Sequence, residues 1–133
     1  MLGFLSRRPD NLGVKNGRLA DCPNSPNCVS TTATDPRHAI APLTFTTTPA
    51  AAQQRLRDIL KNLPRTTIIT DDENYLYAEF RTLLIRYVDD VEFLIDSDTH
   101  TIHFRSASRV GHSDFGVNRR RMEDIRRRFN ETH

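Results

Sequence analysis

From Thr48 to the C-terminus, apolar side chains recur first with a helical and then with a strand rhythm. Ala52, Leu56, Ile59, Leu60 and Leu63 stand at i, i+4, i+7, i+8 and i+11, a spacing that lines one face of an α-helix. Thr48 supplies a capping hydroxyl, Pro49 fits the first helical position where its missing N–H costs nothing, and Pro64 forbids continuation. The pattern predicts a helix over residues 49–63. A second stripe, Asn118, Met122, Ile125 and Phe129, predicts a closing helix over residues 117–130. Asn118 sits at the buried end of that stripe, where an amide has to cap the helix or bond the preceding loop.

Between the helices the period drops to two. Residues 66–70 are β-branched, 71–74 have turn chemistry, and 75–88 form a long run rich in Tyr, Phe, Leu and Ile, which together predict a hairpin. Val91, Phe93 and Ile95 then alternate with Glu92, Leu94 and Asp96, Ser97-Asp98 turns the chain, and residues 101–106 return as a second hairpin. Matching Val91 with Phe104 and Phe93 with Ile102 sets Asp90 opposite Arg105 and Glu92 opposite His103, and predicts an Asp90–Arg105 contact.

Residues 1–47 behave differently. They hold five of the seven prolines and three of the five glycines and keep no sustained period, which predicts an irregular segment wrapped over the rest, with a short edge strand near residues 44–48. The expected architecture is α+β: an antiparallel sheet of four to five strands with two helices on one face. We expect a single domain over 1–133, the wrapping segment 1–47 followed by an α-β-β-β-β-α core over 48–133.

The composition fits one core: 133 residues, 37% hydrophobic and 27% charged. No run of 18 apolar residues occurs, and the opening MLGFLSRR is too short for the apolar stretch of a signal peptide, so a cytoplasmic location without a membrane span is expected. A formal net charge of +2 is far from the excess of a dedicated nucleic-acid binder, and nucleic acid is not an expected partner. The basic residues are 17 Arg against 2 Lys. Arginine suits bidentate pairing with carboxylates and phosphates, so this bias points to ordered ion pairs or an anion site; a genome that prefers Arg codons gives the same bias.

Four constellations could carry chemistry. Cys22 and Cys28 bracket a loop with two prolines, and are read as structural, either free thiols or a disulfide. A zinc site would need two more ligands from His38, His103 and His112, at spacings that match no finger, and no metal is expected. Asp89, Asp90 and Glu92 put three carboxylates in four residues. Two of them sharing a proton would provide a general acid, while Arg81, Arg86, Arg105 and Arg109 nearby favour a structural arginine lattice. The segment 105–116 gathers Ser, His and Asp without a Gly-x-Ser-x-Gly elbow. There Arg105, Arg109 and Arg119 with loop N–H groups and a helix N-terminus would make an anion pocket. Finally, Arg119–Arg121 and Arg126–Arg128 could bind an acidic surface. Glu123 to Arg127 and Asp124 to Arg128 at i, i+4, with no interleaved aromatics, favour an ion-paired solvated face.

Four segments carry a resemblance: RPDNLGV at 8–14, CPNSPNCVS at 22–30, YVDDVEF at 87–93 and RSASRVGHSDFGVNRRRMEDIR at 105–126. With them the chain resembles the domain of unknown function 1499 family of bacteria and plastid-containing eukaryotes. The resemblance implies that the cysteine loop, the paired aspartates and the serine-arginine loop belong to one signature, and it implies no reaction. Members with leader segments and with Tyr at the His112 position resemble this chain, which weakens a catalytic role for that imidazole. The expected function is a non-enzymatic binding module in which Arg105, Ser106, Ser108, Arg109, Asp114, Asn118 and Arg119 hold an anionic small molecule or a partner's acidic segment, without a cofactor. Two alternatives are an enzyme using Asp89 or Asp90 as general acid or base in an Arg-lined cleft, and an interaction domain acting through the Arg-rich helix.

Overall fold

The computed structural model describes residues 7–83, 87–110 and 116–131. Both helices form on their apolar stripes. Helix α1 spans Pro49–Lys61, and the Thr48 hydroxyl accepts from the Ala51 N–H at 3.1 Å. It ends two residues before the expected limit, with Asn62 as its C-cap, because the ring of Pro64 drives Leu63 out of helical geometry. Leu63 still packs against the core. Helix α2 spans Val117–Glu131 and buries Asn118, Met122, Ile125 and Phe129. Its surface pairs differ in one respect from expectation. Asp124 meets Arg128 at 3.0 Å, but Glu123 pairs with Arg126, while Arg127 turns to Asp124 and Glu131.

Six strands make one antiparallel sheet: β1 Cys28–Ser30, β2 Leu43–Thr44, β3 Thr66–Asp72, β4 Tyr75–Arg81, β5 Val88–Asp96 and β6 Thr101–Ser108, in the order β1-β6-β5-β4-β3. β2 pairs with the same edge of β6 as β1, at its other end, so two short pieces of the N-terminal segment cover that edge. The run 75–88, expected as one strand, is divided. The Thr82 N–H donates to the Tyr87 carbonyl, and the Tyr87 N–H donates to the Thr82 hydroxyl, each at 2.8 Å, closing a hairpin between β4 and β5. Continuous apolar character through 83–85 gives no turn signal there.

The register of the second hairpin also differs from expectation. Phe93 faces Phe104, Glu92 faces Arg105 and Leu94 faces His103, so Asp90 lies opposite Ala107 and its expected contact with Arg105 is replaced. The cause is the turn. Asp96 pairs with Thr101 around a four-residue connection, in which the Asp96 carboxylate accepts from the Asp98 and Thr99 N–H groups and His100 takes a left-handed φ of 54°. The shift is two residues, so every side chain keeps the face that its alternation assigned.

Both helices pack on one face. There Leu76, Ala78, Phe80, Val91, Phe93, Ile95, Ile102 and Phe104 meet Leu56, Leu60, Met122, Ile125 and Phe129. Each fully buried Phe or Leu contributes about 1.5–3 kcal/mol through removal from water. The opposite face is polar and is crossed by the segment leading to Cys22, which we call the strap. Among the described residues, no helix is long and apolar enough to cross a membrane.

Candidate functional site

Strand alternation sends Asp89 and Asp90 to opposite faces of the sheet, and each organises its own polar cluster. On the helix face Asp89 is buried and paired with Arg121 at 2.6 Å, whose guanidinium lies 4.7 Å from the centre of the Phe80 ring. Arg121 also donates to the Asn118 side-chain oxygen at 2.8 Å, which accepts in addition from the Ser106 hydroxyl at 2.6 Å. The Asn118 amide donates to the Ser108 hydroxyl at 2.9 Å and to the Asn27 carbonyl at 3.2 Å. Asn118 is therefore a buried junction tying α2, β6 and the N-terminal segment.

On the strap face Arg109 closes a fork on Asp90, with Nε and Nη2 each 2.9 Å from one carboxylate oxygen. Its Nη2 lies 2.6 Å from Glu79 as well, and the Tyr77 hydroxyl donates to Asp90 at 2.5 Å. Arg8 of the strap adds a fork on the same Glu79 oxygen, and Arg81 reaches the other at 3.5 Å. Burial alone would raise the Glu79 carboxyl, but hydrogen bonds from Arg8 and Arg109 outweigh it and hold it below the usual range. Burial and the bond to Asp90 push the Tyr77 hydroxyl up, so it remains a donor.

Glu92 and Arg105 stand directly across from each other on this face and are the exception to its neutralised pairs. One Glu92 oxygen accepts from the Tyr75 hydroxyl at 2.5 Å and from the Gly13 N–H at 2.7 Å. Its other oxygen, Oε1, and the Nε of Arg105 are buried and unpartnered among the described residues. Arg105 is only 4% exposed, makes no ion pair among those residues, and gives one bond, 3.3 Å long, to the Asp21 carbonyl. Burial lowers its pKa, with the charges of Glu92, Asp90 and Asp21 opposing.

The strap ends at a disulfide between Cys22 and Cys28, so of the two readings of these cysteines the structure holds the bridged one. Cys28 lies on β1 opposite Ala107, next to Asn27, whose amide donates to the Ser108 and Val110 carbonyls. Of the histidines weighed as metal ligands, His38 bonds the Cys28 carbonyl through Nδ1 and His103 bonds the Thr31 hydroxyl, while His112 lies outside the described residues.

The residues expected to form one anion pocket are thus divided by the sheet. Ser106, Ser108 and Asn118 meet on the helix face, whereas Arg105 and Arg109 belong to the strap face. Arg119 donates to the Ala39 and Arg37 carbonyls, and Arg126 to those of Pro42 and Ala41, so both fasten the N-terminal segment to α2. Asp114 and Arg86 lie outside the described residues. Residues 18–129 match the family described as Protein of unknown function (DUF1499). The chain belongs to that family. The match takes in both polar clusters and the disulfide but starts after the 8–14 motif, so Arg8 and Gly13 approach the strap face from outside the matched region. No curated protein and no solved structure matches the chain.

Tyr75, Tyr77 and Glu79 take part in these clusters without having been singled out in the sequence, and Arg121, read there as part of the arginine run on the closing helix, turns inward to Asp89. Glu79 and the tyrosines alternate with Leu76, Ala78 and Phe80, a pattern that marks one polar face of β4 once the β4–β5 turn is recognised.

Proposed function

We propose that this protein is a non-enzymatic binding module for an anionic small molecule or the acidic segment of a partner, and that the strap face receives it. The observation that carries this reading is Arg105: a guanidinium buried without an ion pair among the described residues, its Nε–H unused, whereas Arg109 on the same face and Arg121 on the other are each paired with a carboxylate. A buried unpaired cation is costly, and an anion that reaches it regains that cost as affinity. General acid or base chemistry at Asp89 or Asp90 has less support, because each carboxylate is committed to a guanidinium. Action through the arginine helix has less support too, since Arg119, Arg121 and Arg126 are spent on internal partners.

The cytoplasmic location expected from the sequence and the Cys22–Cys28 disulfide pull in opposite directions, because cytoplasmic thiols are kept reduced. We give the disulfide more weight and propose an oxidising compartment; alkylation of the protein taken directly from cells distinguishes the two. The binding reading is tested by thermal unfolding with phosphate, sulfate, citrate and short acidic peptides. A ligand at a hundredfold excess over its Kd stabilises by about 2.7 kcal/mol, a shift of several degrees. The expected result is a shift with wild type that Arg105→Gln abolishes. A shift that survives this substitution, or none with any anion, refutes the reading.

A further inference from the structure

The two unpartnered atoms of the strap face form a complementary set. Arg105 Nε is a donor and Glu92 Oε1 an acceptor, and the residues are directly opposed on β6 and β5. Each group also touches the strap backbone: the Gly13 N–H donates to Glu92, which the Tyr75 hydroxyl holds from the sheet side, and Arg105 donates to the Asp21 carbonyl. Gly13 and Asp21 in turn bound a hollow of about 240 Å³, lined also by Lys15 and Arg18, that stops short of both buried atoms. That volume is worth roughly eight water molecules, enough for a molecule of a few carbons.

Charge narrows the class. On this face Glu79, Asp90 and Glu92 lie among four arginines, Arg8, Arg81, Arg105 and Arg109, of which Arg105 makes no ion pair among the described residues. In the hollow Arg18 is paired with Asp21, which leaves the Lys15 ammonium as the added charge. Resting on the binding-module reading above, we propose that the strap face binds a small carboxylate with a hydroxyl or amino group on the neighbouring carbon. The carboxylate accepts from Arg105 Nε–H, and the hydroxyl or amino group donates to Glu92 Oε1. A simple carboxylate satisfies the arginine and leaves the glutamate unmatched, so the pair selects for the donor as well as the charge. Because both atoms are closed off from solvent, entry requires the strap around Gly13 to shift. Among the described strap residues Leu19 is the buried side chain and Arg8, which latches the strap to Glu79, is half exposed, so the shift chiefly breaks the Gly13–Glu92 and Asp21–Arg105 bonds.

Lactate, alanine and propionate test this on the full oxidised chain, since they share three carbons and a carboxylate and propionate lacks the second group. ¹⁵N NMR follows Arg105 Nε–H and Gly13 N–H during titration. The expected result is movement of both signals by lactate or alanine, with affinity at least about tenfold above propionate. Glu92→Gln is expected to erase that preference while propionate binding stays. Equal binding of the three through Arg105 overturns this inference and leaves the binding-module reading standing. A direct Arg105–Glu92 contact in the free protein, undisturbed by any of the three, overturns it too. If phosphate and citrate also fail to move Arg105, both readings fall. The comparison of lactate with propionate needs only the wild-type chain, so misfolding of the variant does not remove the test.

Discussion

Arg109→Met removes the guanidinium that neutralises two buried carboxylates at once. The Asp90 side chain is 2% exposed and the Glu79 side chain 6%, so solvent screening relieves neither. Removing one partner of a buried ion pair costs about 3–5 kcal/mol, because the other charge stays behind in a poorly solvating site. Two remaining contacts set the expectation at the low end: the Tyr77 hydroxyl still donates to Asp90 and Arg8 still holds Glu79. About 3 kcal/mol corresponds to roughly 10 °C in Tm for a chain of this length. The loss also has a pH signature. In the wild type burial raises the Glu79 carboxyl and the bonds from Arg8 and Arg109 more than reverse it, so its folded pKa is depressed. Its stabilisation is therefore present above the unfolded value of about 4.3 and is lost as pH falls through the lower folded value. The variant lacks part of that support, so the gap between the two proteins is widest near neutral pH and narrows on acidification below about pH 4. Urea unfolding at pH 7 and at about pH 3 measures the gap, and a cycle with Asp90→Asn isolates the pair. A destabilisation below about 1 kcal/mol, identical at both pH values, would refute the reasoning.

Two further substitutions probe the frame around the clusters. Cys28→Ser opens the ring closed by a sequence separation of 6 and is expected to cost about 2 kcal/mol, seen as a lower urea midpoint that reducing agent reproduces in the wild type. Asn118→Ala leaves the Ser106 and Ser108 hydroxyls, Arg121 and the Asn27 carbonyl short of a partner, and is expected to cost about 1–3 kcal/mol, with faster amide exchange at Ser108, whose N–H bonds the same Asn27 carbonyl. An unchanged midpoint in either variant would count against the assigned role.

The sequence by itself determined the elements whose signals are local. The stripes of α1 and α2 are statements of 3.6-residue periodicity, and Thr48, Pro49 and Pro64 bracket α1 because capping and proline geometry act within a turn of chain. Alternation likewise assigned Val91, Phe93, Ile102 and Phe104 to the core; the sheet puts Asp89 and Asp90 on opposite faces, so the proton-sharing read from their adjacency is not open to that pair. Parity is blind to a shift of two residues, however, and the tertiary structure decided that Glu92 rather than Asp90 faces Arg105. The Asp96 turn and the left-handed His100 set that register through backbone conformation, which hydrophobic pattern does not encode. Which arginine neutralises which acid was also decided only in three dimensions. Arg109 reaches Asp90 and Glu79 because the end of β6 carries it to the strap face, and Arg121 reaches Asp89 because α2 lies across the other. Ion pairs depend on distances of a few ångströms between residues far apart in the chain, so arginine-rich composition alone selects none of them. The Cys22–Cys28 bridge belongs to the same class: six residues of separation permit it, and the path of the strap against β1 brings the two Cα atoms to 5.7 Å.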